Sequence, residues 1–248
     1  MKAREKNIKV FNEDVKQNAG YVYTSDKLYS AKIATAKQTE ELTKFIAKYF
    51  SKDIKIIDIG CGDGKYTIDL FKSFSPALIV GTDPASDAIN IAKGRIKGSY
   101  KGKVFFKVGN IYDIDKLFKK GQFDLAIIRG VLHHLYEPQK AIKAVSKVFP
   151  IVIVNEANGY NPILKVIEKV SPYHIEHEEK SYWPPTLHHW FRKQGYNKIE
   201  ENYFGIVPYF FPENLTRLFK SIEPFFENIP ILNRIYCACN NILYQKNG

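Results

Sequence analysis

Apolar and polar positions along this chain repeat with two different periods, and the switches between them divide it. From Tyr29 to Phe50 apolar residues recur at helical spacing, which predicts an amphipathic helix packed beside a first strand. Five short runs rich in β-branched residues follow, at Lys55–Ile59, Ala77–Thr82, Val104–Val108, Asp124–Arg129 and Ile151–Asn155. Helix-like stretches separate them, among them YTIDLFKSF, SDAINIAKGRI and EPQKAIKAVSKV. Apolar runs alternating with crossover helices predict an α/β fold with a mostly parallel sheet and helices on both faces.

Beyond Asn155 the alternation stops. A short helix is expected at Ile163–Val170 and another along PTLHHWFRKQGY, ending near Gly195. Lys198–Tyr203 and Ile235–Gln245 read as two closing strands, which brings the sheet to seven. Segments 157–182 and 205–231 are too long for tight turns, and the second is rich in aromatics and proline. The expected organisation is one domain over 1–248. It has an N-terminal helical segment at 1–50, a cofactor-binding core at 51–156, and insertions at 157–182 and 205–231 that cap one end of the sheet. Ligands of open α/β sheets bind outside the carboxyl ends of the strands, so such a cap encloses the site.

The first run leads into IIDIGCGDGKY, residues 56–66. A strand, a tight glycine turn and a helix N-terminus present free backbone N–H groups to a nucleotide-like ligand. A Walker-type phosphate loop needs four residues between its outer glycines and a hydroxyl after the lysine. Here three residues separate Gly60 from Gly64, and Tyr66 follows Lys65. A dinucleotide fingerprint needs G-x-G-x-x-G, whereas this turn is G-x-G-x-G flanked by Asp58 and Asp63, whose charges repel a pyrophosphate. A ligand with an adenosine, a cationic amino-acid end and no phosphate suits those carboxylates, and S-adenosylmethionine answers that description. The second run ends at Asp83, about twenty residues on, where a carboxylate can accept both hydroxyls of a ribose. That contact serves NAD equally, so Asp83 alone does not choose.

Composition changes the picture in two places. The net charge of +11 and lysines in KNIKV, KGRIKGSYKGK and KKGQF could serve an RNA or an anionic membrane, although scattered lysine more often marks a solvated surface. The chain shows no apolar run of membrane-spanning length and its first residues lack the apolar segment of a signal peptide, so a cytoplasmic protein is expected. The three cysteines do not form a disulfide framework; Cys237 and Cys239 read as small residues on one face of a buried strand.

After the third strand comes VGNIYDI, and the fourth lies in FDLAIIRGVLHHL. Together with DIGCGDG and GTDP, in this order over roughly residues 55–156, these motifs closely resemble those of class I S-adenosylmethionine-dependent methyltransferases, in particular the group acting on small molecules and lipid precursors. The resemblance implies a Rossmann-like seven-stranded fold, S-adenosylmethionine as methyl donor and S-adenosylhomocysteine as product. It also implies that Gly60, Cys61 and Gly62 let the chain pass close to the methionine part, that Asp58 neutralises its ammonium, and that Asp83 holds the ribose. Pro84 then packs on the adenine, Asn110 and the Ile111 backbone read its edge, and the Arg129 carbonyl lies near the methionine end. Tyr23, in the N-terminal YVYT with Tyr21, closes over the cofactor in this reading. Many relatives carry Asp where Asn110 stands, so this contact lacks their charge.

Methyl transfer from a sulfonium needs alignment above all, and a general base only where the acceptor must lose a proton. His133, after the fourth strand end, is the leading candidate, and Glu156, at the fifth strand end, is second. His174, His177 and Glu178 have the composition of metal ligands but sit in an expected loop, and no metal is expected. His188 and His189 read as packing or surface residues. The expected activity is methylation of a small, partly apolar or lipid-like acceptor; an RNA methyltransferase and a non-catalytic S-adenosylmethionine-binding protein are the rivals.

Overall fold

A computed structural model of the chain describes residues 28–171 and 180–247. Helix α1 (Tyr29–Ala47) precedes β1 (Lys55–Ile59), α2 (Lys65–Phe74), β2 (Leu78–Asp83), α3 (Ser86–Gly94), β3 (Val104–Val108) and α4 (Ile114–Leu117). Then follow β4 (Leu125–Arg129), α5 (Pro138–Ser146), β5 (Ile151–Ala157), α6 (Pro162–Val170) and α7 (Pro184–Arg192). Strand β6 (Tyr196–Phe204), α8 (Glu213–Asn228), α9 (Pro230–Tyr236) and β7 (Cys239–Lys246) complete the order.

The strands form one seven-stranded sheet in the order β3-β2-β1-β4-β5-β7-β6. Strands β1 to β5 pair in parallel, and β7 runs antiparallel to both β5 and β6. Successive side chains of a strand point to opposite faces. Accordingly Ile57, Ile59, Ala126, Ile128, Val152 and Val154 enter one core cluster, while Ile56, Leu125, Ile127 and Ile153 enter the other. The first cluster closes against α5 and α7, where Phe191 stacks on Tyr244 at 4.0 Å; the second closes against α1, α2 and α3. Both faces of β1, β4 and β5 are thus buried, which is why these strands read as nearly continuous apolar runs.

The first five strands fall within one residue of the expected starts and ends except at β5, which continues to Ala157. The closing half differs more. The expected strand Ile235–Gln245 begins only at Cys239, because Pro230 opens a helix whose last turn binds Cys237 N to Asn233 O at 3.0 Å. Cys237 therefore precedes the strand instead of sharing a face with Cys239. Between β5 and β7, Asn155 faces Asn241, and its amide donates to the Asn241 side-chain oxygen at 2.7 Å inside the sheet.

Register fixes where the late segments depart. Ala157, Cys239 and Phe204 are paired neighbours, so the chain leaves β5 and β6 at the same end of the sheet. That is the carboxyl end of the parallel strands. Helices α6, α8 and α9 therefore begin beside it, with α9 packed on both α6 and α8.

Candidate functional site

Five strand ends lie side by side here, and backbone bonds tie them. Gly60 N donates to Thr82 O at 2.6 Å, Gly109 N to Asp83 O at 3.0 Å, and Gly130 N to Asn155 O at 2.8 Å. The glycine turn follows β1 with φ of 81° at Gly60 and 74° at Gly64, a region that side chains with a Cβ rarely enter. A Cβ at Gly60 would lie 2.3 Å from Val131 Cγ2, so the turn packs directly on the loop after β4. Cys61 turns its side chain into the core, leaving its backbone to the turn, and burial pushes its thiol pKa up. Asp63 is also buried, pairing with Arg95 at 2.8 Å and accepting from Lys65 N; this locks the turn to the end of α3.

Asp83 Oδ2 accepts from Gly62 N at 2.9 Å and Oδ1 from Ala85 N at 2.8 Å. Burial lifts its pKa to about 6, against the lowering effect of those two donors. Pro84 is half-buried beside it. At the end of β3, Asn110 Oδ1 accepts from Tyr112 N at 3.1 Å, capping a short 3-10 turn, and Ile111 is buried. One lone pair of that amide oxygen is therefore engaged by the chain itself.

At the junction of β1 and β4, Asp58 accepts from Thr67 Oγ1 at 2.5 Å. Burial raises its pKa, while the charge of Arg129 pulls it down. The Arg129 guanidinium lies 4.0 Å over the Tyr66 ring, and neither of its terminal nitrogens has a hydrogen-bond partner. A buried guanidinium without an acceptor is costly, and the nearby Asp58 supplies charge but no hydrogen bond. Tyr209 closes the far side: its hydroxyl lies 3.4 Å from that of Tyr66 and accepts from Gln38 Nε2 at 2.5 Å. An orphaned cation beside a carboxylate can hold a zwitterion, so the pair fits the amino-acid end of S-adenosylmethionine.

The loop after β4 is organised by Glu156. Its Oε1 accepts from Val131 N at 2.9 Å and Leu132 N at 2.7 Å, and its Oε2 faces His133 Nδ1 at 2.5 Å. Only 2% of the Glu156 side chain and 14% of that of His133 is exposed, so the pair is screened from bulk water. A carboxylate at this distance can only accept, so in this pairing Nδ1 is the nitrogen that donates. Tyr182 stands close enough to Glu156 for that charge, after burial, to help push its pKa up to about 12.

Asp58, Gly60, Gly62, Asp83, Asn110, Arg129, His133 and Glu156 thus share one end of the sheet. Tyr21, Tyr23, His174, His177 and Glu178 lie outside the described residues. His189 is exposed, whereas His188 bridges Tyr244 at 2.7 Å and Glu201 at 3.1 Å away from this end. Sequence reasoning took only the carbonyl of Arg129 and missed its side chain; an arginine closing an otherwise apolar strand was the available signal. It also missed Tyr66 and Tyr182. Of the aromatic run before α8, Phe204, Ile206 and Val207 are buried, but Phe210 is 58% exposed.

A family model described as a methyltransferase domain matches residues 50–201, more than half of the chain. The demethylmenaquinone methyltransferase of Lactococcus lactis is 28% identical over 155 residues, covering 60% of this chain and 56% of that protein. The ribosomal RNA small subunit methyltransferase C of Buchnera aphidicola is 26% identical over 161 residues, covering 59% and 45%. The chain spans about half the length of the curated relatives it matches. Among solved structures, magnesium protoporphyrin IX methyltransferase from Synechocystis, with bound S-adenosylhomocysteine, superposes with a TM-score of 0.62 at 14% identity, covering 90% of each chain.

Proposed function

The chain belongs to the methyltransferase-domain family; on that premise we propose that it is an S-adenosylmethionine-dependent methyltransferase whose acceptor is a small, partly apolar molecule deprotonated by His133. The observation that carries this reading is the 2.5 Å contact between His133 Nδ1 and the buried carboxylate of Glu156. A histidine so held is oriented to take a proton, and the rings of Tyr66, Tyr182 and Tyr209 nearby suit an apolar or ring-bearing acceptor.

In this reading Arg129 takes the cofactor carboxylate and Asp58 its ammonium. Asp83 takes the ribose, while Pro84, Asn110 and Ile111 surround the adenine. The cofactor supplies a methyl group on a sulfonium, an activated leaving group. His133 holds the acceptor O–H or N–H through Nε2 and receives its proton as the new bond to carbon forms, then releases it to solvent. Glu156 is a positioning residue: it fixes the imidazole tautomer and stabilises the imidazolium. The described residues of the two insertions, 157–171, 180–182 and 205–231, cover the site as a cap in this reading, and the chain acts as one domain.

The relatives' names cover a quinone, a ribosomal RNA and a porphyrin, so the acceptor is argued from the site alone. The test is transfer of labelled methyl from S-adenosylmethionine into a cell extract fractionated into RNA, protein, lipid and small molecules. Label is expected in the lipid or small-molecule fraction, with His133→Ala abolishing it. Label confined to RNA or protein would refute the proposal.

A further inference from the structure

Helix α8 turns an apolar stripe outward. Leu215, Leu218, Ile222 and Phe225 recur at three- and four-residue steps, so at about 100° per residue they form one stripe within roughly 80° of its circumference, and Ile229 follows as the extended residue after the last turn. Such a stripe ordinarily faces a core. Here these side chains are 43%, 54%, 37%, 60% and 36% exposed.

The inward side is mixed: Phe219 and Phe226 are half-buried against Phe211 and Tyr236, and polar anchors sit beside them. Thr216 and Glu223 are buried, Glu223 Oε2 accepts from Ile206 N at 3.1 Å, and Glu227 Oε1 accepts from Gly205 N at 2.8 Å. Lys37 of α1 closes the anchor, 2.9 Å from Glu227 and 3.9 Å from Glu223. Rolling the helix to bury its stripe would strip two backbone N–H groups and a lysine of their partners. The outward apolar face is therefore enforced by the fold.

Helix α6 repeats the pattern. Ile163, Val166 and Val170 share one side and are 54%, 59% and 67% exposed, and Ile231 of the intervening α9 is 70% exposed. A soluble monomer rarely leaves apolar patches of this extent bare. The charges on these helices are sorted: Glu223 turns in, and Glu168 is engaged by Ser181 N at 2.8 Å. Lys169, Arg217, Lys220 and Arg234 stay exposed. Arg217 pairs with Glu213, the exposed anion among the described residues of these helices, and Lys220 with Glu223. Arg234 bonds the Tyr160 hydroxyl, so Lys169 and Arg234 carry the charge that no carboxylate of these helices offsets. A second copy of the chain would set this cationic rim against itself, since a two-fold interface pairs a patch with itself. An anionic surface complements it, and the whole chain carries +11.

We propose that α6, α8 and α9 dock on an anionic phospholipid bilayer, with their apolar side chains at the headgroup boundary and the cations on lipid phosphates. The attachment is interfacial: no described helix is long and apolar enough to cross a membrane. The inference stands apart from the identity of the acceptor, and its test uses none.

The test is flotation of the full chain with phosphatidylcholine vesicles, with and without about a third phosphatidylglycerol, at roughly physiological salt. The protein is expected to float with the anionic vesicles and to stay behind with the neutral ones. A Leu218→Ser/Phe225→Ser variant, whose changes lie at exposed positions and whose melting transition checks the fold, is expected to bind at least about tenfold more weakly; Val166→Ser should weaken binding from the second helix. Failure of the wild type to float with anionic vesicles overturns the proposal. So does undiminished binding by both variants, which would reduce the effect to charge alone. A concentration-dependent dimer that the double variant dissolves, without vesicle binding, would assign the face to a second copy instead.

Discussion

His133 Nδ1 lies 2.5 Å from Glu156 Oε2, and the other oxygen of that carboxylate receives the N–H groups of Val131 and Leu132. One buried side chain therefore sets both the path of the loop after β4 and the tautomer of the histidine it carries. Removing His133 should affect chemistry alone: His133→Ala is expected to slow turnover about 10²–10⁴-fold while S-adenosylhomocysteine affinity changes little. Glu156→Ala also leaves two buried donors unpaired, at roughly 1–3 kcal/mol each, so it should lower the melting temperature as well as kcat. Equal loss of cofactor affinity in both variants would place His133 in the cofactor site.

Arg129 separates stability from binding. Its buried terminal nitrogens have no partner, so once Asp58, which would lose its countercharge, is also made Asn, the free protein should tolerate Arg129→Met without loss of stability. Arg129→Met alone should weaken S-adenosylhomocysteine by about 1.5–3 kcal/mol, roughly 10- to 150-fold, by removing the charged donor to its carboxylate. Methylthioadenosine, which lacks the amino-acid end, should bind both proteins alike in calorimetry. Loss of binding by both ligands together would show that Arg129 shapes the site instead of holding the carboxylate.

Asp83 predicts a pH dependence. Its carboxyl is lifted by burial from 3.8 to about 6, so the folded chain binds its proton more tightly than the unfolded chain does. Its contribution to stability is thus greatest below the unfolded value and is lost as pH rises through that window. Cofactor binding runs the other way, because ribose hydroxyls donate to the ionised form. Affinity for S-adenosylhomocysteine is expected to fall as pH drops below about 6, and Asp83→Asn should bind weakly with that slope removed. A wild-type affinity that is flat between pH 5 and 8 would contradict the ribose assignment.

Gly60 couples the glycine turn to the loop after β4. A Cβ there meets Val131 Cγ2 at 2.3 Å, and φ is 81°. Gly60→Ala should cost about 1–3 kcal/mol from the backbone alone and displace Val131, whose N–H is held by Glu156. Adding Val131→Ala should recover the steric part and leave the backbone part, which a double-mutant cycle on melting and turnover separates.

The half of the sheet that carries the candidate site was legible because its strands are buried on both faces and their ends carry short polar signals. Gly60, Asp83 and His133 could each be placed from the residue at which an apolar run stops. The partnership of Glu156 with the β4 loop could not, since it depends on the register that sets Arg129 opposite Asn155 across β4 and β5. The strand start at Cys239 was misplaced because Ile235-Tyr236-Cys237 has strand composition, while the helix over it is imposed from Pro230. Helix α8 itself was hidden, because segment 205–231 reads as an aromatic, proline-rich insertion with Pro224 inside the helical stretch, and its outward stripe was hidden for a simpler reason. A periodic apolar stripe says that a helix has two faces, and only the partners of Glu223 and Glu227 say which one turns inward.

The position of β7 between β5 and β6 sets the order in which the molecule can be assembled. During synthesis β6 emerges first yet has no neighbour to pair with until the later strand slides into place beside β5. The parallel half can form while the ribosome is still working, but it waits with an open border along β5. A chain whose β7 has yet to take its place would keep that border exposed to other unfinished chains, so the vulnerable interval in this protein's assembly lies between the folding of the parallel half and the insertion of β7.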